Sequence, residues 1–221
     1  MTKNQNKNTG MIGRLAVGGA LLIAMAAGIF VALLFFNVEI TQPMISSSTT
    51  SSSSGPQLTI PPQVQSLELT NRNGEAFALD ELSGEYALLS FGYTRCPDVC
   101  PLTLSDYKRV KRDLDTAAEQ VDFVFFSVDG ERDTPEVLDS YMGRFDENFV
   151  GLTTTDNDIR QQITQSFAVF YATREIEGTQ AGYIVDHTAS MFLLDAAGDV
   201  VKVFPFGTPP TEIAADIQSR L

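Results

Sequence analysis

Residues 15–36, LAVGGALLIAMAAGIFVALLFF, are 22 consecutive positions without a charged or polar side chain. As a helix rising about 1.5 Å per residue, the run is about 33 Å long, enough to cross the hydrocarbon layer of a membrane. Such a run divides the chain, because the segments on its two sides end up across a bilayer from each other. Lys3, Lys7 and Arg14 stand before the run, and no Lys or Arg occurs after it until Arg72. The positive-inside tendency then places residues 1–14 in the cytoplasm and everything after Asn37 across the membrane. A cleavable signal peptide shares this signature, but its apolar core usually runs about 7 to 15 residues, and the small residues here lie inside the run. The N-terminus also lacks the Arg-rich pattern of a mitochondrial presequence. The expectation is therefore an uncleaved, single-pass anchor in an inner (cell) membrane, with the rest of the chain facing the periplasm or external side.

Residues 37–57 read as a flexible linker, since SSSTTSSSS at 46–54 cannot bury apolar area to offset its ordering entropy. Residues 58–221 have the size of one domain with one core. Removing Lys3, Lys7, Arg14 and Glu39 from totals of 15 basic and 28 acidic residues leaves 12 basic and 27 acidic, a net charge of −15. A surface so acidic repels nucleic acid and anionic lipid.

Within the domain, apolar runs alternate with amphipathic stretches, the pattern of an α/β fold with a largely buried sheet. YALLSFG at 86–92 and VDFVFFSV at 121–128 are buried-strand runs. Leu104, Tyr107, Val110 and Leu114 recur at helical spacing after the first. Thr134, Pro135 and Glu136 signal the start of a second helix through a cap, a proline at the first position and a favourable charge. A third helix is predicted from Asp156 to Tyr171. SMFLLD at 190–195 and VVKVF at 200–204 flank a hairpin turn, and Pro209 to Leu221 reads as a closing helix. The order of elements matches a thioredoxin-like sheet with additions.

The segment Phe91 to Pro101, FGYTRCPDVCP, holds both cysteines of the chain, and His187 is its one histidine. Cys96 and Cys100 admit three uses. A structural disulfide closing so short a loop would constrain the unfolded chain little. A redox pair at a strand-to-helix junction would have a thiolate favoured by backbone amides and the helix dipole. Against generic thioredoxin chemistry, the spacing is CxxxC and no proline lies between Pro135 and Pro205, so none precedes the strand facing the cysteines. A metal site would add His187, placed in the loop before SMFLLD. Two thiolates and an imidazole suit Cu(I) on softness and number, and can hold Cu(II) with an added oxygen ligand. Structural zinc would have to borrow a carboxylate such as Asp98 or Asp186.

These segments resemble the SCO/SenC family of membrane-anchored copper proteins needed for cytochrome c oxidase assembly. The similarity rests on FGYTRCPDVCP, on SVDGERDTP at 127–135 and on YIVDHTASMFLLD at 183–195, and spans roughly Leu58 to the C-terminus. It implies copper, as Cu(I) or Cu(II), held by Cys96, Cys100 and His187. It also implies delivery of copper to, or preparation of, the binuclear copper centre of cytochrome c oxidase subunit II. On this reading the protein is a metallochaperone rather than an enzyme, and its partners include another copper chaperone or a thioredoxin-like reductant. Two other readings stay open: a thiol:disulfide oxidoreductase acting through Cys96 and Cys100 on the cysteines of that centre, and a copper or redox sensor. Gly130 replaces a proline common in the family and is expected to loosen a turn; Thr188 replaces a serine. Asp133 is expected to serve a turn or helix cap. Asp98, Asp129 and Asp186 stand near the site in sequence, and Asp186 is a candidate to orient His187.

Overall fold

The computed structural model describes residues 58–176 and 182–221. The tail 1–14, the anchor 15–36 and the linker 37–57 lie outside the described residues, among which no helix is long and apolar enough to cross a membrane. Among the described residues the α-helices are α1 Pro62–Gln65, α2 Val99–Leu114, α3 Pro135–Met142, α4 Asn157–Ser166 and α5 Pro210–Gln218. The strands are β1 Leu69–Asn71, β2 Ala76–Phe77, β3 Tyr86–Gly92, β4 Val121–Ser127, β5 Val150–Thr153, β6 Tyr171–Glu175, β7 Tyr183–His187, β8 Met191–Asp195 and β9 Val200–Phe204.

Seven strands form one sheet in the order β2-β1-β5-β4-β3-β8-β9, while β6 and β7 pair only with each other. β3 and β4 run parallel in the register Leu88↔Phe123 and Phe91↔Phe126, joined through α2 as parallel neighbours require. β8 returns antiparallel along the other side of β3, with Ser90 opposite Met191. The near-continuous apolar runs of β3 and β4 follow from this central position, which buries both of their faces.

Helix α2 covers the sheet with the stripe anticipated from its spacing: Leu104, Tyr107, Val110 and Leu114 are all buried. The Tyr107 hydroxyl, inside the core, donates to the Val124 carbonyl at 3.0 Å, so its burial leaves that group paired. Phe91 meets Phe126, Phe167 and Phe192 with ring centroids 5.6, 5.4 and 5.7 Å away. Each buried ring contributes about 2 kcal/mol through area removed from water. The cluster stiffens the end of β3 from which the cysteine segment departs.

Helix α3 starts as predicted, with Pro135 in its first turn and the Val137 amide donating to Thr134 Oγ1 at 3.4 Å. Helix α4 ends five residues earlier than predicted, at Ser166. Ala168 takes a left-handed φ of 53°, its amide donates to Gln165, and the Val169 amide donates back to Thr164 at 2.7 Å. This is a Schellman stop formed without the glycine that usually announces one. Tyr171, expected inside that helix, instead opens β6. The β8–β9 hairpin turns as expected, with Gly198 at φ 78° and Asp195 Oδ1 accepting from the amides of Ala197 and Asp199.

Candidate metal centre

The backbone leaves β3 at Gly92, whose missing side chain is a requirement of the site. A Cβ there would lie 2.6 Å from the Phe125 ring and 2.7 Å from Cys100 Sγ. Only glycine lets that sulfur settle against the sheet. The chain then turns through Tyr93 to Cys96, whose amide donates to the Tyr93 carbonyl, and enters α2 one residue before Cys100. Asp98, at the helix N-cap and exposed, makes no side-chain cap bond. The Cys96 sulfur takes part of that role by accepting the Cys100 amide at 3.5 Å.

His187 is brought to the same place by another element. It is the last residue of β7, not a loop residue as expected, and sits opposite Tyr171 in the β6–β7 ladder. Its Nδ1 lies 3.0 Å from the Thr188 carbonyl, which can only accept, so Nδ1 carries the proton. Nε2 is thereby left with its lone pair facing Cys100 Sγ at 3.3 Å. Tyr93 packs edge-on against the imidazole, ring centroids 5.9 Å apart. The Cys96 and Cys100 sulfurs and a His187 ring nitrogen all lie within 4.8 Å of one another, as residues sharing one metal ion must.

Both cysteines are free thiols, Cys100 buried and Cys96 half-buried. A hydrogen bond from the Cys100 thiol is the main reason the Cys96 thiol falls to about 4, assisted by the backbone of Asp98 and Cys100 and opposed by burial. The same interaction, followed by burial, pushes the Cys100 thiol well above its ordinary value. The pair therefore shares one proton, which resides on the inner sulfur. Two soft sulfurs and a neutral imidazole nitrogen, one sulfur already a thiolate, form a donor set that fits copper.

The neighbouring carboxylates have roles the sequence did not indicate correctly. Asp133 closes a turn, its amide donating to the Asp129 carbonyl at 2.9 Å, but caps no helix, since Thr134 does so. It is fully buried and accepts from the Thr94 amide at 2.8 Å, the Thr94 hydroxyl at 2.6 Å and the Ser127 hydroxyl at 2.6 Å. It thus fastens the cysteine segment to the end of β4, and burial raises its pKa against these bonds. Asp186 does not orient His187; it pairs at the surface with Arg174 at 3.3 Å. Asp129 is buried, joined to Arg132 at 2.6 Å and accepting from the Tyr183 hydroxyl at 2.7 Å. Gly130 does not loosen its turn. A Cβ on it would overlap the Thr154 carbonyl oxygen, so the loop presses closely on the segment between β5 and α4. Sequence reasoning also passed over Gly92, Thr94 and Arg132. A glycine closing a buried strand was the available sign for the first, and the other two carried none.

Comparison with known proteins agrees with this geometry. A family model described as SCO1/SenC matches residues 59–221. A SCO2-like protein of Rickettsia felis is 38% identical over 146 residues, covering 66% of this chain and 71% of its own length. The structure of Bradyrhizobium japonicum ScoI with copper bound is 36% identical, covers 70% of this chain and 96% of that one, and superposes with a TM-score of 0.63. BsSco is described as a member of the Sco family of cytochrome c oxidase assembly proteins that contains a disulfide switch. It is 26% identical, covering 74% of this chain and 94% of its own, with a TM-score of 0.57. The thioredoxin-like fold of these structures is thus shared by the described domain.

Proposed function

The chain belongs to the SCO1/SenC family, and from that premise we propose that it binds one copper ion through Cys96, Cys100 and His187. Its task is to deliver the ion to, or to prepare, the binuclear copper centre of cytochrome c oxidase subunit II. The observation that carries this reading is the convergence of both sulfurs and the imidazole within 4.8 Å, from two separate parts of the fold. Copper is cargo here: soft ligands hold it away from water and release it to a partner site of similar softness. Cys96 offers a half-buried thiolate to such an exchange, Cys100 stays inside, and His187 presents Nε2 because Thr188 occupies Nδ1. Anchoring through residues 15–36, with the domain on the outer face, would keep it beside a partner embedded in the same membrane.

Anaerobic Cu(I) titration of the full chain in detergent tests the reading. Binding of one equivalent, lost in Cys96→Ala and weakened at least about tenfold in His187→Ala, is expected for three ligands that act together. No binding by the wild type, or binding indifferent to both substitutions, sinks it.

The thiolate of Cys96 beside a protonated Cys100 also favours a second reading, a reductant of the target's disulfide. Cys96 would attack one target sulfur to form a mixed disulfide. Cys100 would then attack Cys96, leaving an internal disulfide, with two electrons passed to the target and protons supplied by Cys100 and solvent. The metal reading expects oxidase assembly to fail with His187→Ala, whereas the redox reading expects it to survive.

A further inference from the structure

Among the described residues, the β6–β7 hairpin shares no ladder hydrogen bond with the seven-stranded sheet. A two-stranded ribbon by itself is marginally stable in water, yet this one ends in His187 and must hold the imidazole at 3.3 Å from Cys100. Arg132, nine-tenths buried, joins the hairpin to the loop after β4. Its Nη1 donates to the Tyr183 carbonyl at 2.9 Å, at the first residue of β7, and its guanidinium lies 3.5 Å from the centre of the Tyr183 ring. Its Nε and Nη2 both reach Asp129 Oδ2 at 2.6 Å, while the Tyr183 hydroxyl donates to Asp129 Oδ1 at 2.7 Å. The same cation lies 5.8 Å from the centre of Tyr93, the ring that packs on His187. A planar cation suits this task because it can stack and donate in a fixed fork, as an ammonium cannot.

We propose that Arg132 is a positioning residue that sets the place of His187: with Asp129 and Tyr183 it latches the hairpin to the loop that succeeds β4. The same loop carries Asp133, which fastens the cysteine segment through Thr94. One short stretch therefore registers the imidazole against the sulfurs. The inference rests on the metal reading for its purpose but not for its test.

The chain has a single histidine, so isotope-labelled histidine in the reduced, metal-free full chain in detergent gives one set of imidazole signals. With Arg132→Lys, which keeps the charge but loses the stack and the fork, the nitrogen shifts should move from one tautomer toward a mixture. Amides of residues 183–187 should exchange at least about tenfold faster while those of β3 and β4 keep their protection. Tyr183→Phe, which keeps the ring and loses only the hydroxyl, should produce a smaller change of the same kind. Unchanged histidine shifts in Arg132→Lys, or exchange that quickens in hairpin and sheet alike, overturns the latch. If copper titration fails while the histidine shifts move, the metal reading falls and the latch stands.

Discussion

The cysteine segment and the histidine hairpin reach the same point by opposite means. The cysteines emerge from the middle of the sheet, between β3 and the first turn of α2, with an aromatic cluster beneath and the buried carboxylate of Asp133 beside them. His187 arrives on a ribbon of five paired residues per strand, outside the sheet and tied to it through side chains. The sulfurs thus sit in or against the core beneath the sheet and α2, whereas the imidazole lies on a ribbon strand in which Val185 alone is buried. Two donors are preset, and the third can be adjusted by substitutions that spare the core.

That contrast can be broken most strongly at the sulfurs. Cys100→Ala removes the main cause of the low Cys96 value, so thiolate at pH 6, followed by absorbance near 240 nm, should fall about a hundredfold as the thiol returns toward its ordinary range. In the wild type the folded-state value of Cys96 lies far below its unfolded value. It therefore adds stability fully present above about 9 and lost as pH falls through about 4. Urea midpoints should accordingly rise with pH between those limits, and a flat profile would contradict the shared proton. The next largest effect is expected from Asp133→Ala, which strands the Thr94 amide and two hydroxyls in the interior. Its cost of about 3 kcal/mol would appear as a lower urea midpoint with the slope unchanged. Gly92→Ala should cost about 2 kcal/mol by overpacking against Phe125 and should also expose Cys100 to alkylation. The smallest effect belongs to the hairpin side: Ala168→Gly relieves the left-handed alanine before β6 and should stabilise the domain by about 0.5 kcal/mol, measured as a small rise in midpoint. Were Ala168→Gly to destabilise by as much as Gly92→Ala, the hairpin junction would not be the permissive region described.

The features that could be read from the chain divide in the same way. The buried runs of β3 and β4, the stripe of α2 and the capped start of α3 carry strong local signals, and all three form where expected. The candidate ligand group was legible because the chain has two cysteines and one histidine, leaving few combinations. The β6–β7 hairpin was not legible. Its strands alternate weakly, and the stop before it rests on an alanine whose backbone conformation has no compositional mark. The carboxylates were misjudged for a related reason. Asp133 and Asp186 look alike in sequence, and only tertiary contacts make one a buried brace and the other a surface partner of Arg174.

Gly130 carries a consequence for the history of the fold. The proline that the family pattern places there cannot be restored in this chain alone, because any side chain at 130 meets the backbone at Thr154 and the Arg160 guanidinium nearby. The loop from 128 to 134 and the segment from 154 to 160 must therefore change together. In a chimera assembled from relatives they form one unit of inheritance, although they are separated by a helix and a strand.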